Sequence, residues 1–317
     1  MKVSVILPVF NCENYILDSI ESILNQSFKE FELIIVNDCS TDNTLSIIQS
    51  IKDDRIILIN NDSNLGIVKS LNKAISIAKG KYIARMDADD LCVENRLQEQ
   101  LNIFKENPNI DIVGTSYFEI DKDENIINRV ILPQNDWEIK TTLLVKNCIL
   151  HPSVMVKSEI LKKNNYLEEY KHAEDFELWI RLIKYCKFYN IPTPLVKYRI
   201  TGDNVTIKAN KKVSERISIL SKIYKNALEY KGVQVDSNEL ILYTKVVTVL
   251  DKYSLNDDKV LLLFEKILNK CFSINERNIL KKLYGFSWLR YSKINGLSFR
   301  SVKFKVRGLI YIKEGKK

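Results

Sequence analysis

The strongest constraint on the fold is an alternation of two hydrophobic periods between residues 3 and 86. Val3–Val9, Phe31–Val36, Arg55–Asn60 and Lys81–Met86 are short runs dominated by apolar residues. Between them, apolar residues recur at helical spacing: Ile16, Ile20, Ile23 and Leu24, then Leu45, Ile48 and Ile51, then the stretch Leu65–Ala78. Continuous apolar runs of this length mark strands buried on both faces of a parallel sheet. The 3.6-residue spacing marks the helices that cover those faces. The pattern predicts helices over Glu13–Asn25, Asn43–Ile51 and Leu65–Ala78, with Asn11 and Asp42 as caps and Gly80 as the stop after the third. Strand–helix–strand repetition joined by right-handed crossovers is an α/β fold with a parallel sheet.

Such a sheet dictates where a site forms, because ligands bind beyond the carboxyl ends of its strands. The polar residues just past three strand ends are Asn11 and Glu13, Asn37 and Asp38, and Asp87 and Asp89. They are expected to converge on one crevice. Carboxylates one residue apart, as in Asp87-Ala88-Asp89, repel and raise each other's pKa. A hard divalent cation removes that cost and takes one or two carboxylates together with substrate phosphates. On spacing alone, a surface loop is the commoner source of an Asp-x-Asp pair.

The middle of the chain is mixed. Leu91–Glu106 reads as a helix, Asp111–Ile120 and Ile126–Leu132 as a hairpin, Trp137–Lys146 as a helix and His151–Val156 as a strand. Glu174–Tyr185 has helical spacing, and Phe188–Arg199 is extended and interrupted by Pro192 and Pro194. Beyond Lys208 the pattern is helical: Ser214–Tyr230, Ser237–Tyr253, Asp257–Cys271 and Glu276–Arg290. The expected organisation is an α/β domain over residues 1–207 and a helical, basic region over 208–317.

Bulk properties narrow the class. With 45% hydrophobic and 28% charged residues, the chain is globular and not disordered. No apolar run approaches the ~20 residues of a membrane-spanning helix. The start, Met1–Pro8, reads as a strand and not a signal peptide. Six dispersed cysteines without a C-x-x-C pair suit reduced thiols in a cytoplasm. Two histidines are too few for a histidine-rich metal centre. The net charge of +8 belongs to the end of the chain: residues 281–317 hold eleven Lys/Arg and one acid, Glu314.

Five segments occur in order: Val5–Asn11, Asn37-Asp38-Cys39-Ser40-Thr41-Asp42, Asn64-Leu65-Gly66, Arg85-Met86-Asp87-Ala88-Asp89-Asp90, and Ala173-Glu174-Asp175-Phe176-Glu177-Leu178-Trp179. Together they resemble the family 2 glycosyltransferases of GT-A fold, the bacterial surface-polysaccharide type. The resemblance covers roughly Met1–Thr206. It implies a Rossmann-like, mostly parallel sheet flanked by helices. It also implies a metal-dependent inverting enzyme of the hexosyltransferase class. The sugar would pass from a nucleotide-sugar, UDP-linked, to a hydroxyl of a saccharide or lipid-linked acceptor in cell-surface polysaccharide or lipooligosaccharide synthesis.

Roles follow residue by residue from that resemblance. Asp38 corresponds to the base- or ribose-binding aspartate, with the Pro8, Val9, Phe10 and Asn11 backbone and Glu13 lining the same pocket; its bland alternative is an Asx-turn residue. Asp89 and Asp87 correspond to the pair that holds Mn²⁺ or Mg²⁺, Asp87 alternatively contacting ribose or sugar. Arg85 faces sugar or phosphates, or forms a strand-end salt bridge to Asp87 or Asp38. Asp175 corresponds to the general base and Glu174 to its neighbour, both in a first helical turn where the dipole favours the anion. His151 and Trp179 are the acceptor-side candidates, each with a core reading beside it. Arg199 is a candidate phosphate contact. Many relatives carry a histidine where this chain has Thr201, so water or Asp203 would take the place of a third ligand.

The segment 281–317 interleaves its cations with Trp288, Tyr291, Phe299, Phe304 and Tyr311. Either it is a solvated tail, or it holds the enzyme peripherally at the inner face of the cytoplasmic membrane. No recognised nucleic-acid motif accompanies it, so nucleic acid is not an expected partner. Two other classes stand beside this reading. A sugar nucleotidyltransferase would carry a glycine-rich phosphate loop that Pro8–Glu13 lacks. A catalytically silent nucleotide-sugar-binding protein has no need of Asp38, Asp89 and Asp175 together.

Overall fold

A computed structural model describes residues 2–201, 212–248, 257–271 and 273–294. Asp203 and the expected domain change near 207 lie outside the described residues, as does most of the basic segment, 295–317. The described residues form two compact units. One draws on residues 1–135, 149–178 and 185–204, the other on 136–148, 179–184 and 205–317.

The first unit is built on one nine-stranded sheet. Its strands are β1 (Val3–Val9), β2 (Phe31–Asn37), β3 (Ile56–Asn60), β4 (Tyr82–Arg85), β5 (Leu91–Cys92), β6 (Ile112–Ile120), β7 (Ile126–Val130), β8 (Met155–Lys157) and β9 (Phe188–Arg199). The order is β3-β2-β1-β4-β8-β6-β9-β5, with β7 paired to β6. β1 to β4 are mutually parallel, β6 and β9 are parallel, and β8 runs antiparallel to both its neighbours. This is a mixed α/β sheet, with the parallel β3-β2-β1-β4 block the periodicity predicts.

Every residue of β1 and β2 is buried, so helices must cover both faces. Val3, Val5, Leu7 and Val9 share one core with Ile16, Ile20 and Ile23 of α1 (Ile16–Leu24) and with Leu97, Leu101 and Phe104 of α4 (Arg96–Glu106). α3 (Ile67–Ile77) packs against β1 and β2 and buries Leu71, Ala74 and Ile75. Between them in sequence lies α2 (Thr44–Ser50), where Asp42 Oδ1 accepts the Thr44 N–H at 3.0 Å.

Three segments depart from the periodicity. Leu91–Cys92 is not helical; it pairs antiparallel with Val196 and Lys197, and the helix begins at Arg96. His151–Ser153 is a 3₁₀ turn, with Pro152 in its first turn, and only Met155–Lys157 is extended. Asn11 does not cap α1, which starts at Ile16 after a turn. Two further helices are α5 (Asp136–Leu143) and α6 (Ser158–Lys163), and α7 spans Glu174–Leu182.

In the second unit, α8 (Val213–Tyr230), α9 (Ser237–Thr248), α10 (Asp257–Leu268) and α11 (Ile274–Ile294) surround an aromatic centre. Phe264 stacks on Tyr284 at 3.7 Å, Trp288 meets Phe264 edge-on, and the Tyr243 hydroxyl donates to the Leu144 carbonyl at 2.7 Å. Among the described residues no helix is long and apolar enough to cross a membrane.

Candidate active site

β2, β1 and β4 are neighbours, so their carboxyl ends lie side by side. Just past β1 and β2 the backbone enters the left-handed region, at Asn11 (φ +47°) and Cys39 (φ +60°). Such conformations in non-glycine residues need over-determined surroundings and cluster at ligand loops. Here the two loops are tied together. Asn11 Oδ1 accepts the Thr41 N–H at 2.8 Å, and the Asn11 N–H donates to Ser40 Oγ at 3.0 Å. Glu13 Oε2 accepts both the backbone and side-chain N–H of Asn43, at 2.9 and 2.7 Å. Pro8 and Val9 are buried beneath this rim, while Asn11 and Phe10, the latter 47% exposed, stand on it. Glu13 is therefore a brace between the loops, and Phe10 and Asn11 stand exposed at their rim.

Asp38 does not present a free carboxylate. It is 4% exposed and accepts from Asn61 Nδ2 at 2.7 Å, Leu65 N–H at 2.8 Å and Gly66 N–H at 2.8 Å. Gly66 has φ +84°, a conformation that only glycine adopts without cost. Asp38 thus fixes the Asn64-Leu65-Gly66 turn.

At the end of β4, Arg85 is buried and its two Nη groups bond both oxygens of Asp87. Burial opposes charge on the guanidinium, and the Asp87 carboxylate more than offsets it, holding Arg85 above its ordinary pKa. The salt-bridge alternative for Arg85 is the one observed. The Asp87 carbonyl accepts from Ser19 Oγ of α1 at 3.1 Å, which ties the acidic loop to the first helix. Burial, then the Asp87 charge, pushes Asp89 up to about 6. Asp90 is fully buried. Its Oδ1 accepts the Arg199 N–H at 2.8 Å, and its Oδ2 has no partner among the described residues.

One oxygen from each of Asp87, Asp89 and Asp90 can be chosen so that all lie within 4.8 Å of one another. Three crowded carboxylates, one of which keeps a buried oxygen without a partner among the described residues, fit a hard divalent cation. Since Arg85 engages both oxygens of Asp87, Asp89 and Asp90 hold the more available ones.

A second acidic pair, Glu174 and Asp175, stands at the start of α7. Glu174 is 6% exposed, and its Oε2 has no partner among the described residues. Burial, then the neighbouring Asp175, pushes its pKa up to about 7, and the charges of Arg85 and Asp87 also act on it. Asp175 is half-buried, with Oδ1 accepting the Phe176 N–H at 2.7 Å. Tyr166 lies in the same field: burial raises its pKa, and Arg85, Asp175, Glu174 and Asp87 all act on it. The acidic loop and the start of α7, far apart in sequence, therefore share one electrostatic neighbourhood, with Arg85 as its cation.

The two acceptor candidates are placed differently. His151 is buried, with Nε2 2.8 Å from the Tyr166 hydroxyl; burial and then Arg85 hold its pKa well below the usual value. It is a buried, neutral ring beside Tyr166. Trp179 is 0% exposed, so its ring is core and cannot stack on a sugar. Arg199 is 1% exposed and directs its donors to the Asp89, Asp121 and Lys122 carbonyls and to Glu124, so it is a clamp and not a phosphate contact. Sequence reasoning did not single out Tyr166, which stands in no motif, or Asp90, whose signal was present as the third acid of Asp87–Asp90.

Residues 4–163 match the family described as Glycosyl transferase family 2. A protein from Methanocaldococcus jannaschii, described as an uncharacterized glycosyltransferase, is 39% identical over 232 residues, covering 71% of this chain and 80% of its own. WfaP of Escherichia coli, a UDP-Glc:alpha-D-GlcNAc-diphosphoundecaprenol beta-1,3-glucosyltransferase, is 33% identical over 70% of this chain and 86% of its own. Among solved structures, S. aureus TarS 1-349 with UDP-GlcNAc matches at a TM-score of 0.61 and 18% identity, over 100% of this chain and 91% of TarS 1-349. A mannosyltransferase from Pyrobaculum calidifontis with GDP-Man and Mn²⁺ matches at 0.55 and 14% identity, over 99% and 86%. At these identities the two structures share the fold.

Proposed function

Since the chain belongs to glycosyl transferase family 2, we propose that it moves a sugar from a UDP-linked donor to a hydroxyl of a saccharide or lipid-linked acceptor, with inversion at the anomeric carbon. The new bond joins the acceptor oxygen to the anomeric carbon as the bond to the diphosphate oxygen breaks. The diphosphate departs with the electron pair, and the acceptor proton passes to Asp175. The observation that supports this reading is that the charge of Asp87 acts on Glu174, and that those of Asp87, Glu174 and Asp175 all act on Tyr166.

Each residue type suits its task. Phe10, Asn11 and the Leu65–Gly66 turn form the nucleotide rim, with Pro8 and Val9 beneath and Glu13 and Asp38 holding the loops in place. A bound Mn²⁺ or Mg²⁺ at Asp89, with Asp87 and Asp90 beside it, would neutralise charge on the departing diphosphate. Arg85 bonds both oxygens of Asp87, and its charge favours a carboxylate on α7. Glu174 holds its proton up to near-neutral pH and so relieves Asp175 of an adjacent second anion. Asp175, half-buried and not fully enclosed, is the one of the pair that a substrate hydroxyl reaches.

The UDP assignment draws on the E. coli relatives and on TarS, whose names carry UDP-sugars. The lipid-linked acceptor draws on the E. coli relatives, which act on a sugar-diphosphoundecaprenol. Such a reaction in surface-polysaccharide assembly would take place in the cytoplasm or at the inner membrane face. Asp175→Asn tests the assignment. It keeps the shape of the site and removes the base, so transfer is lost while UDP binding persists. Transfer at the wild-type rate in that variant would refute the role of Asp175.

A further inference from the structure

Arg199 occupies the end of β9 and reaches the acidic loop twice: its N–H donates to Asp90 Oδ1 and its Nε–H to the Asp89 carbonyl, both at 2.8 Å. The rest of its guanidinium faces away from that loop. Nη1 donates to the carbonyls of Asp121 and Lys122 at 3.3 and 3.1 Å, and Nη2 to Glu124 Oε1 at 3.0 Å. The guanidinium also lies over the Tyr15 ring, 4.6 Å from its centroid. The β6–β7 turn that supplies these acceptors is rigid in its own right. Asp121 Oδ1 accepts the Asp123 and Asn125 N–H groups, each at 2.9 Å, and Glu124 sits at φ +67°. The bond from Nε to the Asp89 carbonyl restrains the backbone from which the Asp89 side chain departs, and the Nη bonds to the turn hold Nε in place. Lysine cannot reproduce that geometry, because a point charge lacks the planar set of donors.

We infer that Arg199 is a positioning residue for the divalent-cation site: together with the β6–β7 turn and Tyr15 it sets the aim of Asp89 and Asp90 at the cation. This rests on the proposed cation at Asp89 and goes beyond it, since it assigns control of that site to a hairpin more than thirty residues away in sequence. Residues that orient metal ligands without touching the metal typically carry about 10–100-fold in affinity.

Mn²⁺ binding to the full chain, followed by electron paramagnetic resonance of the free ion without sugar donor or acceptor, tests the inference. Arg199→Lys is expected to weaken Mn²⁺ binding at least tenfold, and Glu124→Gln, a change on the exposed side of the clamp, about threefold. Thermal unfolding of each variant in EDTA separates this from lost folding, because a merely structural role lowers the melting temperature and leaves the Mn²⁺ affinity of the folded fraction unchanged. If Arg199→Lys does not fold, Glu124→Gln alone decides. Wild-type affinity in the folded variants overturns the role of Arg199 and leaves the cation site standing. Absence of Mn²⁺ binding in the wild type, matched by Asp89→Asn, overturns both.

Discussion

Glu174→Gln is expected to make the protein more stable at pH 8, and the reason lies in one buried carboxyl. Glu174 is 6% exposed and its Oε2 has no partner among the described residues, so ionising it in the fold is costly. Its pKa is pushed from 4.5 up to about 7, by burial first and by Asp175 second. Between those values the folded chain binds a proton that the unfolded chain has released. Stability therefore falls as pH rises through this window, and the loss is complete above the folded pKa. A displacement of that size corresponds to about 3 kcal/mol. Glutamine has nearly the same shape and no charge to desolvate, so the variant escapes the loss. In EDTA and without nucleotide, thermal unfolding at pH 8 should rise by about 5 °C. The gain should shrink to a small fraction of that at pH 5, where the native Glu174 is already protonated. Equal melting temperatures at pH 8, or a gain of the same size at pH 5, would refute the claim that Glu174 is buried at the expense of its charge.

Two further outcomes follow from the packing. Trp179→Ala should cost about 3–5 kcal/mol of stability, as large core truncations do, read by denaturant unfolding; the surviving enzyme should show an unchanged KM for acceptor, because the ring is fully enclosed. Asp38→Asn leaves one acceptor oxygen where three donors need partners and should destabilise by about 1–3 kcal/mol, while hydrogen exchange quickens at Leu65 and Gly66.

The parallel part of the sheet was legible in the sequence because β1 and β2 are buried along their whole length and carry no polar alternation to mislead the eye. The acidic loop and the Glu174–Asp175 pair were legible because their chemistry is local. What escaped was decided by partners remote in sequence. Leu91–Cys92 shares the apolar character of the helix that follows, and only its pairing with β9 makes it a strand. Arg199 was a candidate phosphate contact through the family resemblance of its segment; carbonyls from residues 89, 121 and 122 claim its donors instead. Trp179 follows a catalytic-looking acidic pair at helical spacing, but the face of α7 on which it lies is set by packing. Tyr166 has no neighbour in sequence to announce that it will bond His151. Asp38 stands where a ligand-binding aspartate is expected, and three internal donors take up its carboxylate.

The central claim is that the acidic groups at the end of β4 hold a cation that in turn holds a nucleoside diphosphate. Calorimetric titration of UDP into the wild type and into Asp89→Asn, each with and without Mn²⁺, measures that coupling. The account predicts that Mn²⁺ tightens UDP binding to the wild type and has no effect on Asp89→Asn. UDP affinity independent of Mn²⁺ in the wild type, or strengthened equally in both proteins, would contradict it.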